Sequence, residues 1–282
     1  MLVKKELVEG VDLDMASKPS VCESCKWAKG KRKAITRVHE GQRSAGIGNK
    51  IHSDLWGPAP VETINQKLYY ISFTDDYSRH TSVYFLHIKD EAFESYQAYK
   101  AWMKTQHGHQ IKALCSDQGG EYLASEFSDY LKKAGTVRKL TTHDTPEYNG
   151  VSECLNRTII TKVHAMLYDK ELPKFLWSEA TKHVVYLKNR TWTRALGDTT
   201  PFKILTKKKP NLANLHPWGC RVRVHDTSGS KLDGRLKIGQ WMGFDEETGN
   251  GHCVYWAEKQ SITHCWHWVV FPPENPIKRH VL

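Results

Sequence analysis

The sequence predicts an α/β fold carrying a small β-rich module at its C-terminal end. Three observations predict it. Between residues 51 and 116, short aromatic and β-branched runs flank one helical stretch. From Val151 to Leu167, apolar residues recur at four-residue intervals. Beyond residue 215, helical periodicity gives way to short strands and turns. Strands and helices that alternate along a chain assemble as a sheet covered by helices.

In order, residues 1–21 mix charges without periodicity and read as a tail. Ile51, Ser53 and Leu55 then alternate with His52, Asp54 and Trp56, a strand with two different faces. Leu68 to Thr74 and Ser82 to Ile88 are strands joined by the polar turn Asp75-Asp76-Tyr77-Ser78-Arg79. A helix is predicted from Asp90 to about His107, with Phe93, Tyr96, Lys100 and Met103 on one face. Ile111 to Ser116 is a short buried strand that presents Asp117 at its C-terminal end, where α/β sheets collect their ligand sites. One helix follows, striped by Phe127, Tyr130, Leu131 and Ala134, and then a last short strand and a loop between Thr136 and Asn149.

The next helix carries Val151, Leu155, Ile159, Val163 and Leu167 toward the core. At about 100° per residue, Glu153 lies roughly 200° round from Val151, so it projects outward, with Arg157 one turn on. A further helix bears Phe175, Leu176, Ala180, Val184 and Leu187, Pro201 to Asn214 reads as a basic connector, and a barrel-like β module ends the pattern. The divisions expected are 1–50, a Cys-bearing segment and basic linker; 51–170, the core; 171–214, helix and connector; 215–272, the β module; and 273–282, a tail.

Of 282 residues, 39% are hydrophobic and 26% charged, the balance of a globular chain rather than a disordered one. No stretch reaches the roughly 18–20 apolar residues of a membrane span, and the first residues lack the apolar core of a signal peptide. The formal net charge is +10. That excess suits a phosphate-rich partner, DNA first and RNA by the same chemistry. Seven scattered cysteines do not make a secreted disulfide framework, which points to nucleus and cytoplasm.

Three acids carry the chemistry. Asp117 closes an apolar strand, Glu153 lies on a helix with 35 residues between the two, and Asp54 sits on an upstream strand. Hard carboxylate oxygens, few in number, suit two Mg²⁺ or Mn²⁺ ions and leave room for water and phosphate oxygens. Such a pair stabilises both attacking and leaving oxygens of an in-line displacement.

This spacing resembles the D,D-35-E signature of retroviral and retrotransposon integrases. Phe73-Thr74-Asp75-Asp76-Tyr77-Ser78-Arg79, Ser116-Asp117-Gln118-Gly119-Gly120-Glu121-Tyr122 and Asn149-Gly150-Val151-Ser152-Glu153 narrow the resemblance to Ty1/copia-type integrases. Leu172-Pro173-Lys174-Phe175-Leu176-Trp177, Lys188-Asn189-Arg190-Thr191 and Trp218-Gly219-Cys220 extend it over roughly residues 22–272. The resemblance implies an RNase H-like core, a mixed five-stranded sheet flanked by helices, with Asp54, Asp117 and Glu153 catalytic. It implies 3′-end trimming and strand transfer by a homo-oligomer on DNA, joining element ends to target DNA. It also implies DNA contact through Arg157. A catalytically silent nucleic-acid-binding relic and a nuclease without strand transfer remain open.

Other signals compete. Cys22 and Cys25 have half a Zn²⁺ site's spacing, but no histidine precedes them, so they read as the remnant of a zinc module. Asp75 and Asp76 read as turn formers rather than metal ligands. His252-Cys253 and His264-Cys265-Trp266-His267 read as a sheet face. Cys115 and Cys154 lack the neighbours that activate a thiol. Lys31, Arg32 and Lys33, within Lys29-Gly30-Lys31-Arg32-Lys33, suit a phosphate backbone or an ordinary solvated surface, as does Lys207-Lys208-Lys209. The chain's end near residue 282, short of the rest of a Pol polyprotein, fits a fragment or degenerate copy of an element.

Overall fold

Aromatic and β-branched residues build an antiparallel meander of β1 (Ile51–Trp56), β2 (Tyr69–Asp75) and β3 (Thr81–Leu86). The structure, a computed structural model, describes residues 43–117, 119–140, 150–225, 236–245, 251–265 and 269–270. On its other edge β1 pairs in parallel with β4 (Ala113–Ser116), which pairs in parallel with β5 (Val137–Leu140). The sheet order is therefore β3-β2-β1-β4-β5, mixed and five-stranded, with the Asp54 strand at its centre.

A parallel return requires a crossover. That crossover is α1 (Ala92–His107). It stops at Gly108, whose φ of +69° is left-handed, while the Gly108 N–H reaches the Lys104 carbonyl and the His109 N–H the Met103 carbonyl. Between β4 and β5 lie α2 (Gly120–Leu123) and α3 (Ser125–Lys133). After β5 come α4 (Gly150–Asp169), α5 (Trp177–Arg190) and α6 (Pro201–Thr206).

The period-two alternation of β2 divides the apolar side chains between two cores. Ile71 and Phe73 pack with Tyr96, Tyr99, Met103, Phe127 and Leu131 beneath α1 and α3. Tyr70 faces the opposite side, with Ile159, Val163, Trp177, Ala180 and Val184 of α4 and α5. Met242, Cys253 and Tyr255 of the C-terminal sheet join that second core. This sheet comprises β6 (Arg221–His225), β7 (Leu236–Asp245), β8 (Gly251–Trp256), β9 (Ser261–Cys265) and β10 (Val269–Val270), in the order β10-β6-β7-β8-β9 with every pairing antiparallel. A bulge between Trp241 and Gly243 bends β7 over α5. Gly243 has φ +123° there, and a Cβ at that position would meet the His183 ring at 3.3 Å.

Three local expectations change. The single helix after Asp117 is two, because Ala124 is extended (φ −51°, ψ 136°) between α2 and α3. The basic connector contains a helix, α6, started by the Thr200 side chain accepting from the Lys203 N–H and by proline in the first turn, and it buries Leu205. The α1 core face runs through Ala92, Ser95, Tyr96, Tyr99 and Met103. Lys100 is not on it and instead holds its ammonium over the Tyr130 ring at 4.8 Å.

Candidate active site

Strand register brings the first two acids together. His52 of β1 lies beside Cys115 of β4 in parallel pairing. Two residues further along each strand stand Asp54 and Asp117, so parallel neighbours deliver both carboxylates to one end of the sheet. Asp117 follows the last residue of β4 and is half-buried, its Oδ1 accepting the Gly119 N–H at 3.1 Å. Glu153 comes from a third element, the first turn of α4, and is exposed, as its outward angle predicts.

Asp54 registers all of this. Burial raises its carboxyl most, the Asp117 charge adds to that, and Glu153 adds a smaller share. The Leu55 N–H, at 3.1 Å from Oδ1, and the Asn156 amide, at 2.8 Å from Oδ2, work in the opposite direction. The net result is a carboxyl pushed up to about 7. Like charges gathered in a partly dry place raise one another's proton affinity, and a divalent cation relieves the same repulsion. Among the described residues, no three His, Cys, Asp or Glu side chains converge closely enough to hold a metal ion as they stand. The donor set, carboxylate oxygens alone, nevertheless has the hard chemistry that Mg²⁺ and Mn²⁺ take.

Asn156 is the residue that sequence reasoning missed. Its Nδ2 donates to Asp54 while its Oδ1 accepts from the Tyr70 hydroxyl at 2.9 Å. A signal was present: Asn156 precedes Ile159 and Val163 by one and two turns, so it is a polar residue set in the apolar stripe of α4. Tyr122 is another such residue. Its hydroxyl shares a 2.7 Å hydrogen bond with Ser53, tying β1 to the helix that follows Asp117.

Arg157 is exposed one turn beyond Glu153. Cys22, Cys25, Lys31, Arg32 and Lys33 lie outside the described residues. Asp75 and Asp76 serve the turn. Asp75 accepts the Ser78 N–H and hydroxyl and the Gly48 N–H, at 2.6, 2.7 and 2.8 Å. Burial works to raise Asp76, but hydrogen bonds from His52 and the Ser44 N–H, with the Arg79 charge, hold it well below the usual carboxylate range. His252 and His264 belong to paired strands, where His252 Nδ1 accepts from the Trp241 indole at 3.0 Å and His264 meets Asp245 at 2.6 Å. Burial pushes the Cys115 thiol up, the opposite of activation.

No family model matches the chain. It is 35% identical over 231 residues to the retrovirus-related Pol polyprotein from transposon TNT 1-94 of Nicotiana tabacum, covering 81% of this chain and 17% of that polyprotein. It is 31% identical over 196 residues to the retrovirus-related Pol polyprotein from transposon RE2 of Arabidopsis thaliana, covering 69% of this chain and 13% of that one. The chain belongs to the Ty1/copia-type Pol polyprotein family. It is also 29% identical over 141 residues to the transposon Ty1-DR6 Gag-Pol polyprotein of Saccharomyces cerevisiae, covering 49% of this chain and 8% of that one. The chain thus spans less than a fifth of the length of these copia-type relatives. Among solved structures, it has a TM-score of 0.49 and 13% identity with a simian T-cell lymphotropic virus intasome in complex with PP2A regulatory subunit B56 gamma, covering 90% of this chain and 88% of that one. With the HTLV-2 integrase catalytic core domain in complex with magnesium, the TM-score is 0.42 and the identity 18%, covering 58% and 99%.

Proposed function

We propose that this integrase-like domain is a metal-dependent polynucleotidyl transferase that trims DNA 3′ ends and joins them to a target strand. The observation that carries the reading is the parallel pairing of β1 with β4, which puts Asp54 and Asp117 at one end of the sheet, with Asp54 held by the Leu55 N–H and the Asn156 amide and Asp117 by the Gly119 N–H. Asp54, Asp117 and Glu153 would hold Mg²⁺ or Mn²⁺, which when bound as a pair stabilises the attacking and leaving oxygens of phosphoryl transfer.

The chain's own residues supply position. The Leu55 N–H and the Asn156 amide hold Asp54, and the Gly119 N–H holds Asp117, so two of the three acids have fixed oxygens. In trimming, a water oxygen attacks the phosphorus and the strand leaves with a free 3′-hydroxyl. In joining, that hydroxyl attacks a target phosphodiester; one P–O bond forms and one breaks, with a target 3′-hydroxyl as leaving group. The bond count is unchanged, so strand transfer needs no high-energy co-substrate. The +10 charge and exposed Arg157 would track DNA phosphates, and joining two ends at once calls for more than one copy of the chain. Such work would take the protein from cytoplasm to nucleus.

The test is a strand-transfer assay with paired donor ends and Mg²⁺ or Mn²⁺. Joined product is expected. Cleavage without joining would make the chain a simple nuclease, and DNA binding with neither reaction would make it a silent binding protein.

A further inference from the structure

We propose that Tyr70 is a positioning residue for this reaction, its hydroxyl locking the Asn156 amide so that an N–H, and not the amide oxygen, faces Asp54. The inference rests on the reading of Asp54 as a cation ligand. Tyr70 lies on β2, fully buried, and its hydroxyl is 2.9 Å from Asn156 Oδ1. Asn156, also buried, places Nδ2 2.8 Å from Asp54 Oδ2. The polarity of the pair is forced. Ionised, as a cation ligand must be, the Asp54 carboxylate only accepts, so the amide N–H must face it, and the amide oxygen left over needs a donor, which the phenol supplies.

Packing keeps that donor in place. The Tyr70 ring stacks on Trp56 at 5.3 Å between centroids and meets Phe85 and Trp177 at 6.4 Å each. Those neighbours would accept phenylalanine as readily, so among the described residues Asn156 is what accounts for the hydroxyl. Without it, the amide oxygen is buried with no donor among the described residues, and the Asn156 side chain keeps only one of its two anchors, so its hold on Asp54 Oδ2 loosens. The relay thus leaves Asp54 Oδ1 and the free side of Oδ2 in one orientation for a cation. Partners behind metal ligands act in this way, and their loss weakens metal affinity.

Tyr70→Phe keeps every ring contact, so its fold is expected to survive. Mn²⁺ titrated calorimetrically into the full chain should show a Kd about 10-fold weaker than wild type, the low end for a partner behind a metal ligand because Tyr70 acts one step further back. The Mn²⁺ concentration needed for half-maximal end trimming should rise by the same factor, with DNA affinity unchanged. Asn156→Ala should weaken Mn²⁺ binding at least as much, and adding Tyr70→Phe to it should cost nothing further, because Tyr70 acts through Asn156. A Tyr70→Phe chain that melts earlier yet binds Mn²⁺ as wild type does would overturn the proposal, as would additive losses in the double variant. A wild-type chain that binds no Mn²⁺ would instead remove the reading of Asp54 as a ligand, and this inference with it.

Discussion

Asn189, on α5, hydrogen-bonds the backbone of Thr81 as a neighbouring strand would. Its Oδ1 accepts the Thr81 N–H at 2.9 Å, and its Nδ2 donates to the Thr81 carbonyl at 2.7 Å. Thr81 opens β3, the edge strand of the mixed sheet, so the amide closes an edge that would otherwise leave buried backbone groups unpaired. Asn189→Ala should therefore cost about 3 kcal/mol, since each orphaned group carries a penalty of about 1–3 kcal/mol. Asn189→Asp should do no better, because its carboxylate meets the Thr81 carbonyl with no donor. Urea unfolding measures both; a loss under about 0.5 kcal/mol in either would show that the edge is held by other means.

The adjacent residue gives a pH dependence. Burial, with the Arg79 charge as a lesser cause, lowers the Lys188 ammonium from 10.5 to about 7. Between those values the unfolded chain binds the proton that the folded chain has released, so stability rises as pH climbs from about 7 toward 10.5. The slope stays below the one-proton limit of about 1.4 kcal/mol per pH unit. Lys188→Met should remove this rise when unfolding is followed across pH 7–10. An identical slope in wild type and variant would place the titration elsewhere.

The acids' mutual repulsion has a cost in the metal-free protein. Asp54→Asn removes a charge that is part-buried and opposed by Asp117 and Glu153, so the apo variant should melt about 1–3 °C above wild type. Saturating Mn²⁺ should then raise the melting temperature of wild type but not of the variant, because only a bound ligand stabilises the native state. An Asp54→Asn protein that still gains stability from Mn²⁺ would move the cation site off Asp54.

Arg157 separates DNA contact from chemistry. Arg157→Ala should weaken binding similarly across sequences and lower the slope of log affinity against log salt by about 0.9, one phosphate contact. End trimming should slow as the phosphate loses its alignment. If affinity, slope and rate all stay put, Arg157 is an ordinary surface residue.

What the sequence disclosed follows from how locally each feature is encoded. The β1 alternation and the Ile159, Val163 and Leu167 stripe rest on short-range periodicity, and the core takes them up as expected. The grouping of Asp54 with Asp117 comes from the family resemblance, and the parallel pairing of their strands, which depends on residues about 60 positions apart, comes only from the structure. Asn156 stood out only as a polar residue in an apolar stripe; its role was not legible because it depends on Tyr70 and Asp54, 86 and 102 positions away. The face of α1 was misjudged for a related reason. Tyr99 and Lys100 are one step apart on the helix, and only the packing of Tyr99 against Phe73, stacked at 4.8 Å, decides which is buried. The break at Ala124 reflects backbone geometry with no proline or glycine to mark it.

The most direct test of the account sets cleavage against binding in one variant. Asp117→Asn removes a ligand charge at nearly constant volume, at the strand end beside Asp54. Measured in parallel on the same DNA ends, Mn²⁺-dependent cleavage should vanish while DNA affinity stays within about twofold, because phosphate contacts rather than this acid supply the affinity. Cleavage at the wild-type rate in Asp117→Asn would contradict the assignment of the three acids to one metal-dependent site.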